Sequence, residues 1–149
     1  MTEKNENKKA ARAFIVDDDR DTLAVVSQQF KALNVDVTSV NESDLALKEF
    51  LKSTKNNGKF DIVALDIRMP AVNGFELARQ IRGTGYAGLI VALTASTTGS
   101  GRRISKESGI DHYFCKTSIN KELISALLLQ NPTASGRFEK PMFDIDDED

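Results

Sequence analysis

Two short stretches near the middle of the chain, "IVALD" (62–66) and "LIVALT" (89–94), set the tightest limit on its fold. Each is an unbroken apolar run, too short for a helix and without the polar alternation of a half-exposed strand. A strand that offers water neither face must be covered on both. That is the condition of a parallel sheet between two layers of helices. Each run also stops on a polar group, Asp66 in one case and Thr94 in the other. A carboxylate at the mouth of an apolar strand costs free energy unless something nearby favours its charge.

The rest of the chain agrees with this layering. "RAFIV" and "VDVTSV" read as further strands, and "DHYFCK" as a fifth, ending in Lys116. Between them lie helical patterns: "DTLAVVSQQFKAL" with Leu23, Val26, Phe30 and Leu33 in phase, and "SDLALKEFLKST" with Ser43 as N-cap and Leu47, Phe50 and Leu51 on one face. "GFELARQIR" aligns Phe75, Ala78 and Ile81. "GSGRRISKESG" reads as a weak fourth helix closed by Gly109, and "NKELISALLL" as a fifth, capped by Asn120 or Ser118. The expectation is an α/β, doubly wound, five-stranded parallel sheet with five helices and right-handed crossovers. Ligands of such sheets bind outside the carboxyl ends of the strands.

That edge carries an unusual set of groups. The first strand ends in Asp17, Asp18 and Asp19, the third in Asp66, the fourth in Thr94 and the fifth in Lys116. Converging carboxylates repel one another and some are forced to protonate unless a cation joins them. Only hard oxygen donors are present, with no His or Cys set, so Mg²⁺ or Mn²⁺ suits the site better than Zn²⁺. Mg²⁺ retains coordination positions for water and phosphate oxygens, and Lys116 and Thr94 would then serve the remaining oxygens of a phosphoryl group. Asp66 can itself act as a nucleophile, forming an aspartyl phosphate.

With "FIVDDD", "IVALDIRMPAVNGFEL", "VALTAS" and "GIDHYFCK" in this order, the chain resembles the receiver domains of two-component signalling, the family of the chemotaxis response regulator. The resemblance covers roughly residues 12 to 130 and implies a flavodoxin-like strand order, 2-1-3-4-5. It implies Asp66 as phosphoacceptor, and Asp17, Asp18, Asp66 and the backbone carbonyl of Arg68 as ligands of Mg²⁺. It further implies Lys116 as the partner of a phosphoryl oxygen, Thr94 as a switch hydroxyl and Tyr113 as a switch aromatic. Gly74 would open the helix that follows the "MP..NG" turn. Arg68 and Ser96, two residues past Asp66 and Thr94, are expected to tune hydrolysis of the acyl phosphate. The implied partners are a histidine kinase or histidine phosphotransfer protein, and an output protein that reads the face formed by the fourth helix, fifth strand and fifth helix. A homodimer is a further arrangement.

One departure stands out. Family members usually carry proline after the lysine; here it is Thr117. A cis bond without proline costs about 2.5–4 kcal/mol, so the Lys116–Thr117 bond is either trans or cis under strain. Other residues have plainer readings. Asp19 is a solvated residue or an N-cap. Tyr113 is equally a half-buried strand aromatic, and Cys115 a small buried hydrophobe. His112 lies in a strand and does not suit phosphotransfer. "GTG" (83–85) and "TTGSG" (97–101) do not fit a nucleotide-binding loop. Arg102 and Arg103 are read as solvated.

Net charge is −2, which provides no basic field for nucleic acid or an anionic membrane. No apolar run approaches the ~18 residues of a membrane span. The single cysteine fits a reducing compartment, and no apolar segment follows the charged start, so a cytoplasmic protein is expected. Residues 1–11 read as a flexible lead-in, 12–130 as the receiver block and 131–149 as an acidic flexible tail. With no output domain after residue 130, the expected function is a single-domain response regulator that accepts a phosphoryl group on Asp66 and signals by protein–protein contact. It would not be an enzyme beyond its own phosphorylation and dephosphorylation. The alternatives are a phosphorylation-independent docking or dimerisation module, or a phosphate sink in a phosphorelay. An aspartyl-phosphate phosphatase would want a second carboxylate two residues after the nucleophile, where Arg68 stands.

Overall fold

The computed structural model describes residues 10–95 and 107–129. Five strands, β1 (Arg12–Val16), β2 (Asp36–Val40), β3 (Ile62–Asp66), β4 (Leu89–Thr94) and β5 (His112–Cys115), form one sheet in the order β2–β1–β3–β4–β5. Every pairing is parallel. The helices are α1 (Arg20–Lys31), α2 (Ser43–Asn57), α3 (Gly74–Gly83) and, after a 3₁₀ turn at Lys116–Ser118, α4 (Lys121–Leu129). Of the helix expected over 99–109, only 107–109 are described. Its remainder, Ser96, Arg102, Arg103 and the tail after 129 lie outside the described residues, as do residues 1–9.

The sheet is apolar on both faces, as the two central runs require. Alternate residues of β1, β3 and β4 point to opposite sides. Phe14, Val16, Val63, Leu65, Ile90 and Ala92 meet Ala46 and Phe50 of α2 and Leu77, Ala78 and Ile81 of α3. Ala13, Ile15, Ile62, Ala64, Val91 and Leu93 meet Leu23, Val26 and Phe30 of α1 and Ile124 and Leu127 of α4. Every residue of β3 and β4 is buried, whereas β2, at the edge, is only partly so. Burying each large aliphatic or aromatic side chain stabilises by about 1.5–3 kcal/mol, so these two layers dominate the cohesion of the domain.

Three local expectations are corrected and one open alternative is decided. Ser43 is not the N-cap of α2; Glu42 occupies that position and makes no side-chain capping bond. Leu51 is exposed, because α2 faces the sheet along Ser43, Ala46 and Phe50. β5 ends at Cys115, and Lys116 opens the 3₁₀ turn. The described chain has no cis peptide bond, so Lys116–Thr117 is trans. Other local readings hold. Asp19 caps α1, accepting from the Asp21 amide and the Thr22 hydroxyl, and Asn120 rather than Ser118 caps α4 through the Leu123 amide.

Candidate functional site

The site grows from the carboxyl ends of β1 and β3, adjacent strands that run in the same direction. Val16 pairs with Leu65, so the residues that follow, Asp17 and Asp66, lie side by side where the two strands end. The Asp17 amide donates to Val40 O at 3.2 Å, and the Ile67 amide to Leu93 O at 3.2 Å, extending the sheet's bonding one residue past the end of each strand. The Asp17 carboxylate is oriented by the Asp19 amide, which donates to its Oδ1 at 2.9 Å. The result is a group of three acids: one carboxylate oxygen each from Asp17, Asp18 and Asp66 lies within 4.8 Å of the others.

Burial divides their roles. Asp17 and Asp66 are 3 % and 4 % exposed, while Asp18 faces solvent. Lys116, carried in by the turn after β5, places its Nζ 3.0 Å from Asp17 Oδ2 and 3.3 Å from Asp66 Oδ1. One ammonium is therefore shared between two buried carboxylates. It does not neutralise both. Burial, then the neighbouring charge of Asp17, push the Asp66 carboxyl up to about 7 despite the opposing effect of Lys116. The Lys116 ammonium is disfavoured by burial but held above its usual range by its hydrogen bond to Asp17 and by the charges of both acids.

The donor set fits a divalent cation. It consists of hard oxygens, two of them nearly dry, with an excess of negative charge that a single lysine leaves uncompensated. The third, exposed carboxylate opens the group to water and so leaves room for further ligands.

Of the other residues singled out from the sequence, Thr94, Arg68, Gly74 and Tyr113 are among the described residues and Ser96 is not. Thr94 ends β4, is 3 % exposed, and pairs in register with Cys115, the neighbour of Lys116. Arg68 lies exposed on the β3–α3 loop. Gly74 begins α3 where a Cβ would press on the Asp66 carbonyl oxygen and come within 2.9 Å of Ile67 Cα, so only glycine lets that helix start so close to β3. Tyr113 is 4 % exposed and packs with Ile90 and Ala92 on the α2–α3 side of the sheet. One participant was missed. Ser43 reaches from α2 to the β3–α3 loop, donating to Pro70 O at 2.6 Å and accepting from the Val72 amide at 3.0 Å. Its position before an apolar-periodic run disguises it as a helix cap, and only its contacts across the fold reveal it.

Comparison with known proteins agrees with this arrangement. The family model described as "Response regulator receiver domain" matches residues 13–128. The chain is 33 % identical over 123 residues to the alkaline phosphatase synthesis transcriptional regulatory protein SphR of Synechococcus elongatus, covering 78 % of this chain and 47 % of that one. It is 34 % identical over 116 residues to the response regulator MprA of a Mycobacterium species, covering 78 % and 48 %. The chain thus spans about half the length of these curated relatives. Among solved structures, the BeF₃-activated N-terminal receiver domain of Klebsiella pneumoniae RstA superposes with a TM-score of 0.70 at 27 % identity, covering 79 % of this chain and 96 % of that one. The Vibrio cholerae chemotaxis protein CheY4 superposes at 0.69 and 24 % identity, covering 81 % and 98 %, a likeness of fold. The sheet order, the three acids with their shared lysine, and these matches lead to one conclusion: the chain belongs to the response regulator receiver domain family of two-component signalling.

Proposed function

We propose that this receiver domain accepts a phosphoryl group on Asp66 from the phosphohistidine of a histidine kinase or phosphotransfer protein, and that the new charge alters a surface read by a partner protein. The observation that carries the proposal is the shared ammonium: Lys116 Nζ lies 3.0 Å from Asp17 and 3.3 Å from Asp66, both almost dry. In the reaction an Asp66 Oδ–P bond forms as the His N–P bond breaks, and the imidazole leaves with the electron pair. Asp66 must be ionised to attack, which its raised pKa opposes until charge balance at the cluster improves.

Asp17, Asp18, Asp66 and the Arg68 backbone carbonyl would hold Mg²⁺, or Mn²⁺ in its place. Once bound, that cation supplies the positive charge that ionises Asp66 and balances the transferring phosphoryl group. Lys116 stays between Asp17 and the acceptor and donates to a phosphoryl oxygen. Thr94 supplies a hydroxyl at the neighbouring strand end, and its movement toward the phosphoryl group is the step that the burial of Tyr113 would register. The Arg68 side chain, exposed two residues past Asp66, shields the acyl phosphate from water; Ser96 would share that task. No helix among the described residues is long and apolar enough to cross a membrane, and the partners are proteins. The test is label transfer from a phosphorylated histidine phosphotransfer protein. The wild type takes up label in the presence of Mg²⁺, while Asp66→Asn takes up none; equal labelling of the two would remove Asp66 as acceptor.

A further inference from the structure

Ser43 is spent in an unexpected way. Serine is among the best N-capping residues, yet it stands one position inside α2, behind a Glu42 that makes no capping bond. Its hydroxyl, in a residue only 5 % exposed, is used instead across the fold, on both sides of Ala71. Ala71 has φ of +68°, a left-handed conformation disfavoured for a residue with a Cβ. Alanine has no side-chain group to stabilise that conformation locally, as asparagine would. The carbonyl before it and the amide after it are the two groups a γ-turn would join directly. Here one hydroxyl joins them, donating to Pro70 O and accepting from Val72 N.

The clasped turn belongs to the loop between Asp66 and Gly74. Its ends are tied by the Gly74 amide, which donates to Ile67 O at 3.0 Å, and by the close approach of Gly74 to the Asp66 carbonyl. Between those ties lies Arg68. We propose that Ser43 is a positioning residue for the acidic cluster: its hydroxyl locks the β3–α3 loop in the form that presents the Arg68 carbonyl and the Asp66 carboxylate together to a divalent cation. The inference rests on the cation site proposed above. Without the hydroxyl, the left-handed residue loses the contacts that hold it, the turn relaxes, and the carbonyl no longer waits in place.

The experiment is calorimetric titration of Mg²⁺ into wild type, Ser43→Ala and the double variant Ser43→Ala/Ala71→Gly, at a temperature where circular dichroism shows all three folded. Amide exchange at Val72 is followed in the metal-free proteins. Ser43→Ala is expected to bind Mg²⁺ on the order of 10-fold more weakly, as for loss of other groups that orient a metal's ligands, with faster exchange at Val72. Glycine adopts positive φ without steric cost, so the double variant should recover part of the lost affinity. Undiminished affinity in Ser43→Ala, with Val72 exchange accelerated, would overturn the positioning role and leave only a structural clasp. Failure of the double variant to recover affinity would overturn the locking of a strained turn as its basis. A wild type that binds no Mg²⁺ would overturn the cation site itself, and the positioning role with it.

Discussion

Replacing Asp66 by asparagine should stabilise the metal-free protein at high pH. Asp66 is 4 % exposed, and its carboxyl is raised from 3.8 to about 7 by burial and by Asp17. A carboxylate whose folded-state pKa stands above its unfolded value lets the folded state hold the extra proton between the two. Stability therefore falls as pH rises from about 4 to about 7, and the loss is complete above that. At about 1.4 kcal/mol per pH unit, the ceiling is about 4 kcal/mol. Asparagine also gives up an ionic contact with Lys116, so about 2–3 kcal/mol of that ceiling should be realised. Urea denaturation in chelator at pH 8 and pH 4.5 provides the assay. Asp66→Asn should be more stable than wild type at pH 8 and nearly equal to it at pH 4.5. Mg²⁺ at 1,000 times Kd should reverse the order at pH 8, since binding then adds about 4.1 kcal/mol to the wild type. A variant no more stable than wild type at pH 8 in chelator would refute the reasoning, because it would mean that Asp66 ionises without cost beside Asp17.

Three further outcomes follow from the packing. Lys116→Ala removes the ammonium that Asp17 and Asp66 share; phosphorylation by a small donor should slow on the order of 100-fold, and the pH at which Asp66 takes up a proton, followed by carboxyl NMR shifts, should rise, because Lys116 opposes that protonation. Gly74→Ala forces a Cβ against the Asp66 carbonyl; it should cost about 1–3 kcal/mol in denaturant titration and weaken Mg²⁺ binding, because relief comes only by shifting β3 from α3. Arg82→Met should cost about 3–5 kcal/mol without changing Mg²⁺ affinity: Arg82 donates to Tyr86 O, Gly88 O and Gly109 O and pairs with the buried Asp111 at 2.8 Å.

The parts of this fold that were legible in the sequence are those set by period and termination. β3 and β4 declare themselves because a strand buried on both faces must be apolar throughout, and the polar residues that end them mark the functional edge. The acidic cluster was legible for the same reason. What was not legible depends on distant partners. Ser43 looks like a cap because local spacing cannot show that a turn 27 residues away needs its hydroxyl. Arg82 looks like a cation suited to the end of α3, whereas it binds the loop before β4 and the approach to β5. Helical phase alone puts Leu51 on one face with Leu47 and Phe50, yet α2 meets the sheet along a face rotated toward Ser43 and Ala46. Which of three consecutive aspartates would be buried was likewise undecided by sequence. The Asp17 amide settles it by bonding to Val40 O, which turns Asp17 inward and leaves Asp18 in water.

The most direct test of the central claim is intact mass after incubation with Mg²⁺ and acetyl phosphate, for wild type and Asp66→Asn. A phosphoryl-sized gain in the wild type alone, abolished by chelation, is the predicted result. A gain of equal size in Asp66→Asn, or one indifferent to chelator, would contradict it.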